Sequence, residues 1–429
     1  MGVEWTGRGA PSRRGVPQNP EESLSELSEL AGSAGATVLE RVTQARPAPD
    51  AATLIGSGKV QELSALAKAL PADVIIFDQD LSPTQQRNLE KLLACKVIDR
   101  TQLILDIFAR RARTREGRLQ VELAQLNYML PRLSGHGKEM SRLGGGIGTR
   151  GPGETQLESD RRRIARRVRK LEQDLEAVRT GRAVHRQQRT SVPLATLALV
   201  GYTNAGKSTL FNRLTEAGVL ADARMFATLD PTVRAVTLPS RRRVLLSDTV
   251  GFIRNLPTTL VKAFRATLEE VTEAVLVLHV VDISAHTAAA QTSHVMKVLA
   301  EIGAASIPQL LVLNKMDLLP ADEADAETLS RRVLADAADT GHPARAVCIS
   351  ARTGAGIDRL ATAIDEVLPF DPIGRAMFRF PVTEGALISM LHDTARVLST
   401  RYTEEYVEIE AELPESARKK LRDFLVRED

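Results

Sequence analysis

The 429-residue sequence has little of several features that mark particular classes of protein. It contains two cysteines, Cys95 and Cys348, which lie far apart and fit neither a disulfide framework nor a zinc-site spacing. We therefore expect two buried thiols in a reducing compartment. No apolar run approaches the roughly eighteen residues that a membrane-spanning helix needs, and the first residues lack the apolar core of a signal peptide. Together these absences predict a cytoplasmic protein.

Aromatic side chains and net charge are also scarce. Aromatic residues make up 3% of the chain, and the formal net charge is +3. A nucleic-acid-binding surface must therefore be local. It should recognise folded RNA by backbone and shape, because binding of single strands needs aromatic stacking platforms. The seven histidines show no metal-ligand spacing. With 43% hydrophobic residues, a chain of this length has room for about two to four globular domains.

The strongest local signal lies at 195–209, where a short apolar run ends at Gly201. Residues 201–208 match G-x-x-x-x-G-K-[ST], the pattern of a strand that leads into a phosphate-binding loop. We expect the ammonium of Lys207 to reach the β- and γ-phosphates, and the hydroxyl of Ser208 to bind Mg²⁺ at the positive end of the next helix. The residues predicted to contact nucleotide here are Gly201, Tyr202, Thr203, Asn204, Ala205, Gly206, Lys207, Ser208 and Thr209.

Two further motifs follow apolar strands, D-x-x-G at 248–251 and N-K-x-D at 314–317. In open α/β sheets, ligands bind at the carboxyl ends of strands. The carboxylate of Asp317 can accept hydrogen bonds from N1–H and the exocyclic amine of guanine, whereas adenine would leave that charge unpaired, which supports rejection on the order of 10⁴. The motifs therefore predict a GTP/GDP site. Its residues here are Asp248, Thr249, Val250, Gly251, Asn314, Lys315, Met316 and Asp317, with Ser350, Ala351 and Arg352 after a strand at 346–349.

The segment 225–232 is predicted to sense the γ-phosphate. We expect Thr228, with Thr232 as second choice, to close over the phosphate and to bind Mg²⁺ together with Ser208, while Asp248 holds the ion through a water. The N–H of Gly251 can sense the same phosphate. The predicted catalytic residues are thus Lys207, Thr228 and Gly251, and the predicted nucleotide contacts in this segment are Phe226, Ala227, Thr228, Leu229 and Asp230.

Two other residues bear on catalysis. Phe252 follows D-x-x-G, where a glutamine would often orient the attacking water, so we expect slow hydrolysis by the protein alone. Asn204, within the phosphate loop, has two interpretations. It could place a K⁺ ion where other GTPases insert an arginine, or it could simply stabilise the loop, and the sequence leaves both open.

Two predicted helices, separated by a glycine-rich loop, precede the GTP motifs. Leucines at 119, 123, 126 and 130 follow the three- and four-residue steps of a coiled-coil seam, and so do apolar residues at 164, 168, 171, 175 and 178. Nearly all the charge in the loop and at the start of the second helix is positive. Because arginine pairs bidentately with phosphate, we favour contact with RNA over a merely solvated face. The predicted RNA-binding residues are Lys138, Arg142, Arg150, Arg161, Arg162, Arg163, Arg166 and Arg167.

These patterns predict a multi-domain α/β protein. A disordered extension at 1–34 precedes an N-terminal domain at 35–190, which consists of an α/β part at 35–115 and a helical hairpin at 116–190. A Ras-like P-loop G domain follows at 191–369, and we expect one antiparallel strand in an otherwise parallel six-stranded sheet. The chain ends in a small α+β domain at 370–429.

Some local predictions within these domains bear on the fold. Ser82-Pro83 is typical of a helix N-cap followed by proline in the first turn. In the C-terminal domain we predict a helix at 385–399, an acidic outer strand at 405–412 and a helix at 414–426.

The chain resembles the HflX GTPases over about residues 35–425. The resemblance rests on the GTP motifs, on segments at 81–90, 99–101 and 106–116, and above all on the glycine-rich segment 144–156 that ends in Gly-Pro-Gly-Glu-Thr-Gln. It implies a cytoplasmic factor that binds the large ribosomal subunit and its RNA and splits stalled ribosomes, with the hairpin entering the peptidyl-transferase region. We expect a monomer. The alternatives are a GTPase of ribosome assembly or RNA modification, and a nucleotide-gated scaffold that binds a protein through the C-terminal domain.

Overall fold

The computed structural model describes residues 1–6, 20–133, 152–189, 194–215, 225–226, 228–240, 242–254, 265–319, 345–368, 373–403 and 405–428. The chain forms two compact units. Unit 1 comprises Met1–Glu176, Leu220–Asp230 and Val250–Thr267, and unit 2 comprises Ala177–Val219, Pro231–Thr249 and Leu268–Asp429. Within the described ranges, no helix has the length and apolar character needed to cross a lipid bilayer.

Unit 1 contains two pairs of short parallel strands with helices around them. Strand β1 (Gly2–Trp5) pairs with β2 (Thr43–Arg46), and β3 (Val74–Phe77) pairs with β4 (Lys96–Asp99). The helices that begin in this unit are α1 (Pro20–Ser33), α2 (Ser57–Ala69), α3 (Pro83–Leu93), α4 (Arg100–Arg111), α5 (Arg115–Met129) and α6 (Pro152–Arg189).

Helix α1 and strand β1 lie in the segment that we predicted to be disordered, 1–34, so that prediction was wrong for these two elements. Leu24, Leu27, Leu30 and Ala31 are at most 5% exposed and share a hydrophobic core with α4. Their three- and four-residue spacing is that of an amphipathic helix. The serines and glutamates between them gave the segment a polar average composition, which is why composition alone misjudged it.

Local capping fixes the starts of two helices. The Ser82 hydroxyl accepts the Gln85 N–H at 3.2 Å, and the Gln85 side chain accepts the Ser82 N–H at 3.0 Å. This capping box precedes Pro83 and confirms the predicted helix start. Thr114 caps α5 in a similar way, because its hydroxyl oxygen accepts the Gly117 N–H at 2.9 Å.

Helices α5 and α6 carry the predicted coiled-coil seams. Leu171 and Leu175 of α6 are 0% and 9% exposed, whereas the four seam leucines of α5 are half-buried. Helix α5 also has a second apolar face, whose Val121 and Ala124 lie in the hydrophobic core that contains α1 and α4. The guanidinium of Arg167 on α6 pairs with the Glu122 carboxylate on α5 through two hydrogen bonds of 2.6 and 2.7 Å.

Unit 2 contains a six-stranded sheet in the order β10-β9-β8-β5-β7-β6. All neighbours are parallel except β6 and β7, which confirms the predicted single antiparallel strand. The strands are β5 (Thr196–Gly201), β6 (Thr232–Thr237), β7 (Arg243–Asp248), β8 (Leu276–Asp282), β9 (Gln309–Asn314) and β10 (Arg345–Cys348). The helices along this part of the chain are α7 (Lys207–Thr215), α8 (Arg265–Thr272), α9 (Ala288–Glu301) and α10 (Ile357–Val367).

The C-terminal part forms a four-stranded antiparallel sheet in the order β12-β13-β11-β14. Its strands are β11 (Ile373–Pro381), β12 (Arg396–Tyr402), β13 (Tyr406–Pro414) and β14 (Leu425–Glu428), and its helices are α11 (Gly385–Thr394) and α12 (Glu415–Lys420).

Three predictions for this sheet were wrong. The helix predicted at 385–399 ends at Thr394, and the next residues form β12. The helix predicted at 414–426 ends early and is followed by β14. The acidic strand is not at the edge but between β12 and β11. Its exposed face is neutralised by cross-strand pairs, Arg379–Glu408, Arg375–Glu410 and Arg396–Glu412.

Candidate nucleotide-binding site

The predicted phosphate loop connects β5 to α7 in unit 2. Lys207, the first residue of α7, is 6% exposed, and its ammonium donates hydrogen bonds to the carbonyl oxygens of Gly201 at 3.1 Å and Tyr202 at 2.8 Å. Burial lowers the pKa of Lys207 to about 8, and the Asp248 carboxylate opposes that shift. The loop thus holds a buried cation on its own carbonyl groups, a partner set that phosphate oxygens can replace.

Two glycines of this loop have conformations and neighbours that exclude a side chain. Gly201 has φ +149° and Gly206 has φ +93°. A Cβ at Gly201 would overlap the Val280 carbonyl oxygen, and a Cβ at Gly206 would overlap the Asn314 side-chain amide. The pattern G-x-x-x-x-G is therefore required by packing against β8 and β9 as well as by the turn.

The hydroxyl of Ser208 donates to the Asp248 carboxylate at 2.8 Å. Ser208 lies in the first turn of α7, and Asp248 is the last residue of β7. A hydroxyl and a carboxylate side by side at a helix N-terminus form the hard oxygen donor set that Mg²⁺ prefers. The two predicted residues that would hold the ion in this unit are thus brought together, and their chemistry fits it.

Asn314 joins the phosphate loop to the loop that follows β10. Its amide group donates to the Ala205 carbonyl oxygen at 2.8 Å, and its carbonyl oxygen accepts the Ala351 N–H at 2.9 Å. The Ser350 hydroxyl donates to the Asp317 carboxylate at 2.6 Å. The side chain of Asn314 therefore aligns two loops, and the predicted base-contacting residue Asp317 is held by the Ser350 hydroxyl.

Further polar contacts hold the loop that carries Asp317. Lys315 has φ +67°, which is strained for a residue with a side chain. Its ammonium donates to the Asp282 carboxylate at 2.6 Å. Arg352, 81% exposed at its side chain, lies 4.0 Å from the Asp317 carboxylate. The Arg213 guanidinium donates to the carbonyl oxygens of Ala351 and Arg352.

Sequence reasoning missed the supporting roles of Asp282 and Arg213. Asp282 ends the apolar strand β8 at the same edge of the sheet as the motifs, so its position in the sequence carried a usable signal. Arg213 lies on the second turn of α7 and belongs to no motif. Its partners are backbone carbonyl groups well over a hundred positions away, and no local pattern could have indicated them.

Two predicted contact residues use their side chains inside unit 2. The Thr249 hydroxyl donates to the Leu199 carbonyl oxygen at 2.6 Å, and the side chain is 0% exposed. Tyr202 is buried with its ring edge-on to His294 at 6.5 Å between centroids. Any contact of these two residues with a nucleotide would therefore come from their backbone. Asn204, in contrast, is exposed and has φ +62°.

The predicted phosphate-sensing residues lie in unit 1. Phe226, Leu229 and Val250 are between 3% and 7% exposed in its hydrophobic core. The Asp230 carboxylate is bonded to the start of α5 at Thr114. Thr228 is half-buried, Gly251 is buried, and Phe252, 4% exposed, cannot orient a water. Ala227 lies outside the described residues.

The predicted RNA-binding residues fall into two groups. Arg161, Arg162, Arg163 and Arg166 are exposed on α6, and Arg167 is exposed but paired with Glu122. Lys138, Arg142 and Arg150 lie outside the described residues. A surface groove along α5 and α6 is lined by Leu126, Asp160, Arg163, Arg166, Arg167 and Lys170.

Comparisons with known proteins identify relatives along most of the chain. Three family models match successive parts of the chain: "GTP-binding GTPase N-terminal" at residues 21–109, "GTP-binding GTPase Middle Region" at 111–189, and "50S ribosome-binding GTPase" at 196–315. The curated GTPase HflX of Caldanaerobacter subterraneus is 45% identical over 95% of this chain and 91% of its own length. The GTPase HflX of Escherichia coli is 47% identical over 86% of this chain and 84% of its own.

The chain belongs to the HflX family of GTPases. It is accordingly a GTP-binding protein and a GTP-hydrolysing enzyme, as the three motifs predicted. The solved structure of a GTP-binding protein from the archaeon Sulfolobus solfataricus with GDP is also similar, with 24% identity over 85% of this chain and 97% of that chain, at a TM-score of 0.45. The match to the Caldanaerobacter protein covers 95% of this chain, and the three family models together span residues 21–315 apart from two short gaps.

Proposed function

We propose that this HflX-family GTPase binds the large ribosomal subunit and, in the GTP state, splits stalled ribosomes into subunits. Two observations support the proposal. One family model that matches the chain is described as a 50S ribosome-binding GTPase. The single structural feature that carries the proposal is the row of exposed arginines on α6, Arg161, Arg162, Arg163 and Arg166. A factor of this kind would act in the cytoplasm.

The charge on α6 is suited to a phosphate backbone. Arg167 is already bound bidentately by Glu122, so it contributes less to an external anion than its exposed neighbours. An exposed guanidinium group can form two parallel hydrogen bonds with a phosphate. Because the positive charge is concentrated on one helix while the net charge is only +3, binding should depend on this surface and on salt.

Hydrolysis is proposed to rely on charge neutralisation and positioning. Lys207 would contact the β- and γ-phosphates, and Ser208 with Asp248 would hold Mg²⁺, which supplies positive charge to the phosphate oxygens. Thr228 and Gly251 are proposed to complete the site in the GTP state. Since the buried Phe252 cannot orient water, we expect slow turnover alone and faster turnover with ribosomes. An equal turnover number with and without ribosomes would contradict this.

Asn204 provides a separate test of cation use. Its exposed position in the phosphate loop is compatible with the K⁺-placing role and with a loop-stabilising role. Turnover should be measured in K⁺ and in Na⁺ at equal ionic strength, for the unchanged chain and for Asn204→Ala. A K⁺ preference that disappears in the variant supports the first role, and equal rates in both salts support the second.

The main experiment incubates the full chain, GTP and intact ribosomes, and then separates subunits by sedimentation. Replacement of Arg161, Arg162 and Arg163 by alanine should weaken binding to the large subunit. It should also reduce the slope of log affinity against log salt by about 2–3, roughly one for each lost phosphate contact.

A matched control removes three arginines that are already paired. Arg375, Arg379 and Arg396 bind glutamates on the C-terminal sheet, so their replacement by alanine changes the net charge equally but should leave the salt slope unchanged. If both triple variants behave alike, α6 is not the RNA contact.

The same assay separates the alternatives. Subunit binding without splitting would favour a role in ribosome assembly or RNA modification. A chain that lacks residues 370–429 tests the scaffold hypothesis. If that deletion abolishes subunit binding while the arginine variant does not, the C-terminal domain rather than the hairpin makes the contact.

A further inference from the structure

The two segments that flank the phosphate-sensing positions are part of the hydrophobic core of unit 1. Met225, Phe226 and Leu229 come from the first segment, and Val250 and Ile253 from the second, and all five are at most 7% exposed. The Phe226 ring packs edge-on against Phe108 of α4 at 4.6 Å between centroids. The two segments are therefore anchored in the core of unit 1 by buried apolar side chains.

Asp230, the last residue of the first segment, is hydrogen-bonded to the residues at the N-terminus of α5. Its carboxylate accepts the backbone N–H groups of Arg113 and Thr114, both at 2.9 Å, and the Thr114 hydroxyl at 2.5 Å. A Cβ at Gly117 would overlap the Asp230 carboxylate. The glycine inside α5, which costs helix stability, is thus explained by the close approach of Asp230. A negative charge is also favoured at a helix N-terminus.

We propose that Asp230 is a positioning residue that transmits the nucleotide state to α5 and, through α5, to the arginine-bearing helix α6. The inference rests on the proposed function for its consequence at the ribosome. Asp230 is two residues from Thr228, so the two Cα atoms lie at most about 7 Å apart. Thr228 therefore stays within about 7 Å of Asp230 in every nucleotide state.

The connections on both sides of Asp230 are short. On one side the chain runs through Pro231 directly into β6. Strand β6 pairs with β7, the strand that ends at Asp248. On the other side, α5 is tied to α6 by the Glu122–Arg167 ion pair. Leu229 shares the hydrophobic core with Val121 and Ala124 of α5, and Asp230 adds directional hydrogen bonds that fix the end of the segment against the start of α5.

The test uses hydrogen–deuterium exchange of the full chain with GDP and with a non-hydrolysable GTP analogue. The readout is the difference between the two states in peptides that contain the amides of Arg113, Thr114 and Gly117. Thr114→Val removes the hydroxyl and weakens the cap of α5. Gly117→Ala places a methyl group against Asp230 but raises the intrinsic helix propensity of α5. The two variants thus change helix stability in opposite directions, while both should abolish the difference between nucleotide states.

Two further variants serve as controls. Thr114→Ser retains the hydroxyl, and Gly58→Ala adds a methyl group in the first turn of α2 where no atom lies within 4 Å. Both should keep the difference between states. Two results would overturn the proposal. In one, α5 of the protein without substitutions exchanges equally with GDP and with the GTP analogue. In the other, Thr114→Val and Gly117→Ala keep the exchange difference between the two nucleotide states.

The ribosome readout distinguishes this inference from the proposed function. In the unchanged chain, GTP should favour binding to the large subunit over GDP by a factor in the usual range for coupled sites, about 5- to 150-fold. In Thr114→Val and Gly117→Ala that factor should fall to near one. Nucleotide-dependent exchange without any subunit binding would refute the ribosomal role and leave the Asp230 contact supported. Subunit binding that keeps its GTP preference in both variants would refute the Asp230 contact alone.

Discussion

The loops that carry the GTP motifs in unit 2 are held differently from two segments of unit 1, residues 225–230 and 250–253. These two segments, which are predicted to sense the γ-phosphate, are called the sensing segments below. Inside one unit, Asn314 joins the phosphate loop to the loop after β10, and Ser350 of that loop is bonded to Asp317. The sensing segments instead place five apolar side chains in the core of unit 1. The loops of unit 2 are thus held by hydrogen bonds among themselves. The sensing segments are held by the hydrophobic core of unit 1, the unit in which the exposed arginines of α6 also lie.

The energetic scale of this difference is large. Complete burial of a Val, Leu, Ile, Phe or Met side chain contributes about 1.5–3 kcal/mol, so five such residues amount to gross stabilisation on the order of 10 kcal/mol before the entropy of ordering is subtracted. That is comparable with the net stability of a whole domain, about 5–15 kcal/mol. The sensing segments therefore cannot rearrange freely, and any rearrangement must involve the unit into which they are packed.

The largest expected effect is that of Lys207→Ala. Loss of the ammonium removes the main cation from the phosphate site, and we expect no measurable GTP or GDP binding in equilibrium titration. Unit 1 should keep its hydrogen-exchange protection, since the two hydrogen bonds of the Lys207 ammonium go to carbonyl groups of its own loop in unit 2. If Lys207→Ala also lowered hydrogen-exchange protection in α4 or α5, the two units would not respond separately to loss of the phosphate-site cation.

Asp317→Asn should have the next largest effect on GTP affinity. The amide nitrogen would face donors of guanine, and we expect GTP affinity to fall by roughly 10⁴, the scale of rejection when polar groups of a binding site are left unpaired. Competition binding against GTP gives the ratio. Ser350→Ala, which removes only the hydroxyl that donates to Asp317, is the milder control. A small loss for Asp317→Asn would mean that the base is selected elsewhere.

Phe226→Ala probes the shared core directly. Truncation of a buried phenylalanine costs about 3–5 kcal/mol, and here the loss should appear as exchange in α1 and α4, because Phe226 packs against Phe108. The matched variant is Phe211→Ala, whose side chain is equally buried in the core of unit 2. It should lower nucleotide affinity more than Phe226→Ala does. The reverse order would show that the sensing segments belong functionally to unit 2.

The smallest effect concerns acid stability in unit 2. Burial lowers the pKa of His279 to about 3, with the charge of Lys207 acting in the same direction. Because the folded-state pKa is below that of the unfolded chain, the unfolded state binds the extra proton, and stability falls as pH drops below about 6.5. Between pH 7 and pH 5 the unchanged chain should lose about 2 kcal/mol more unfolding free energy than His279→Leu.

Denaturant titration at several pH values gives this comparison. At pH 8 the imidazole is neutral in both states, so the difference there between the two proteins measures packing alone. Parallel pH curves for the two proteins would contradict the assignment to His279.

What could be predicted depended on how local the deciding contacts are. The motif of the phosphate loop and the capping box at Ser82 each occupy at most eight consecutive positions, and both were predicted. The acidic strand β13 was placed at an edge because its glutamates suggested exposure. Their partners, Arg375, Arg379 and Arg396, lie on neighbouring strands, and the pairing was not visible along the chain.

The sequence by itself determined the chemistry of the nucleotide site, because each motif specifies its loop by backbone conformation and by side chains a few positions apart. Only the tertiary structure decided that Phe226, Leu229 and Val250 are core residues of unit 1 and that Asp230 is bonded to the start of α5. These roles arise from contacts between segments more than a hundred positions apart. A sequence pattern records which side chains are apolar or acidic, but not which distant surface they cover.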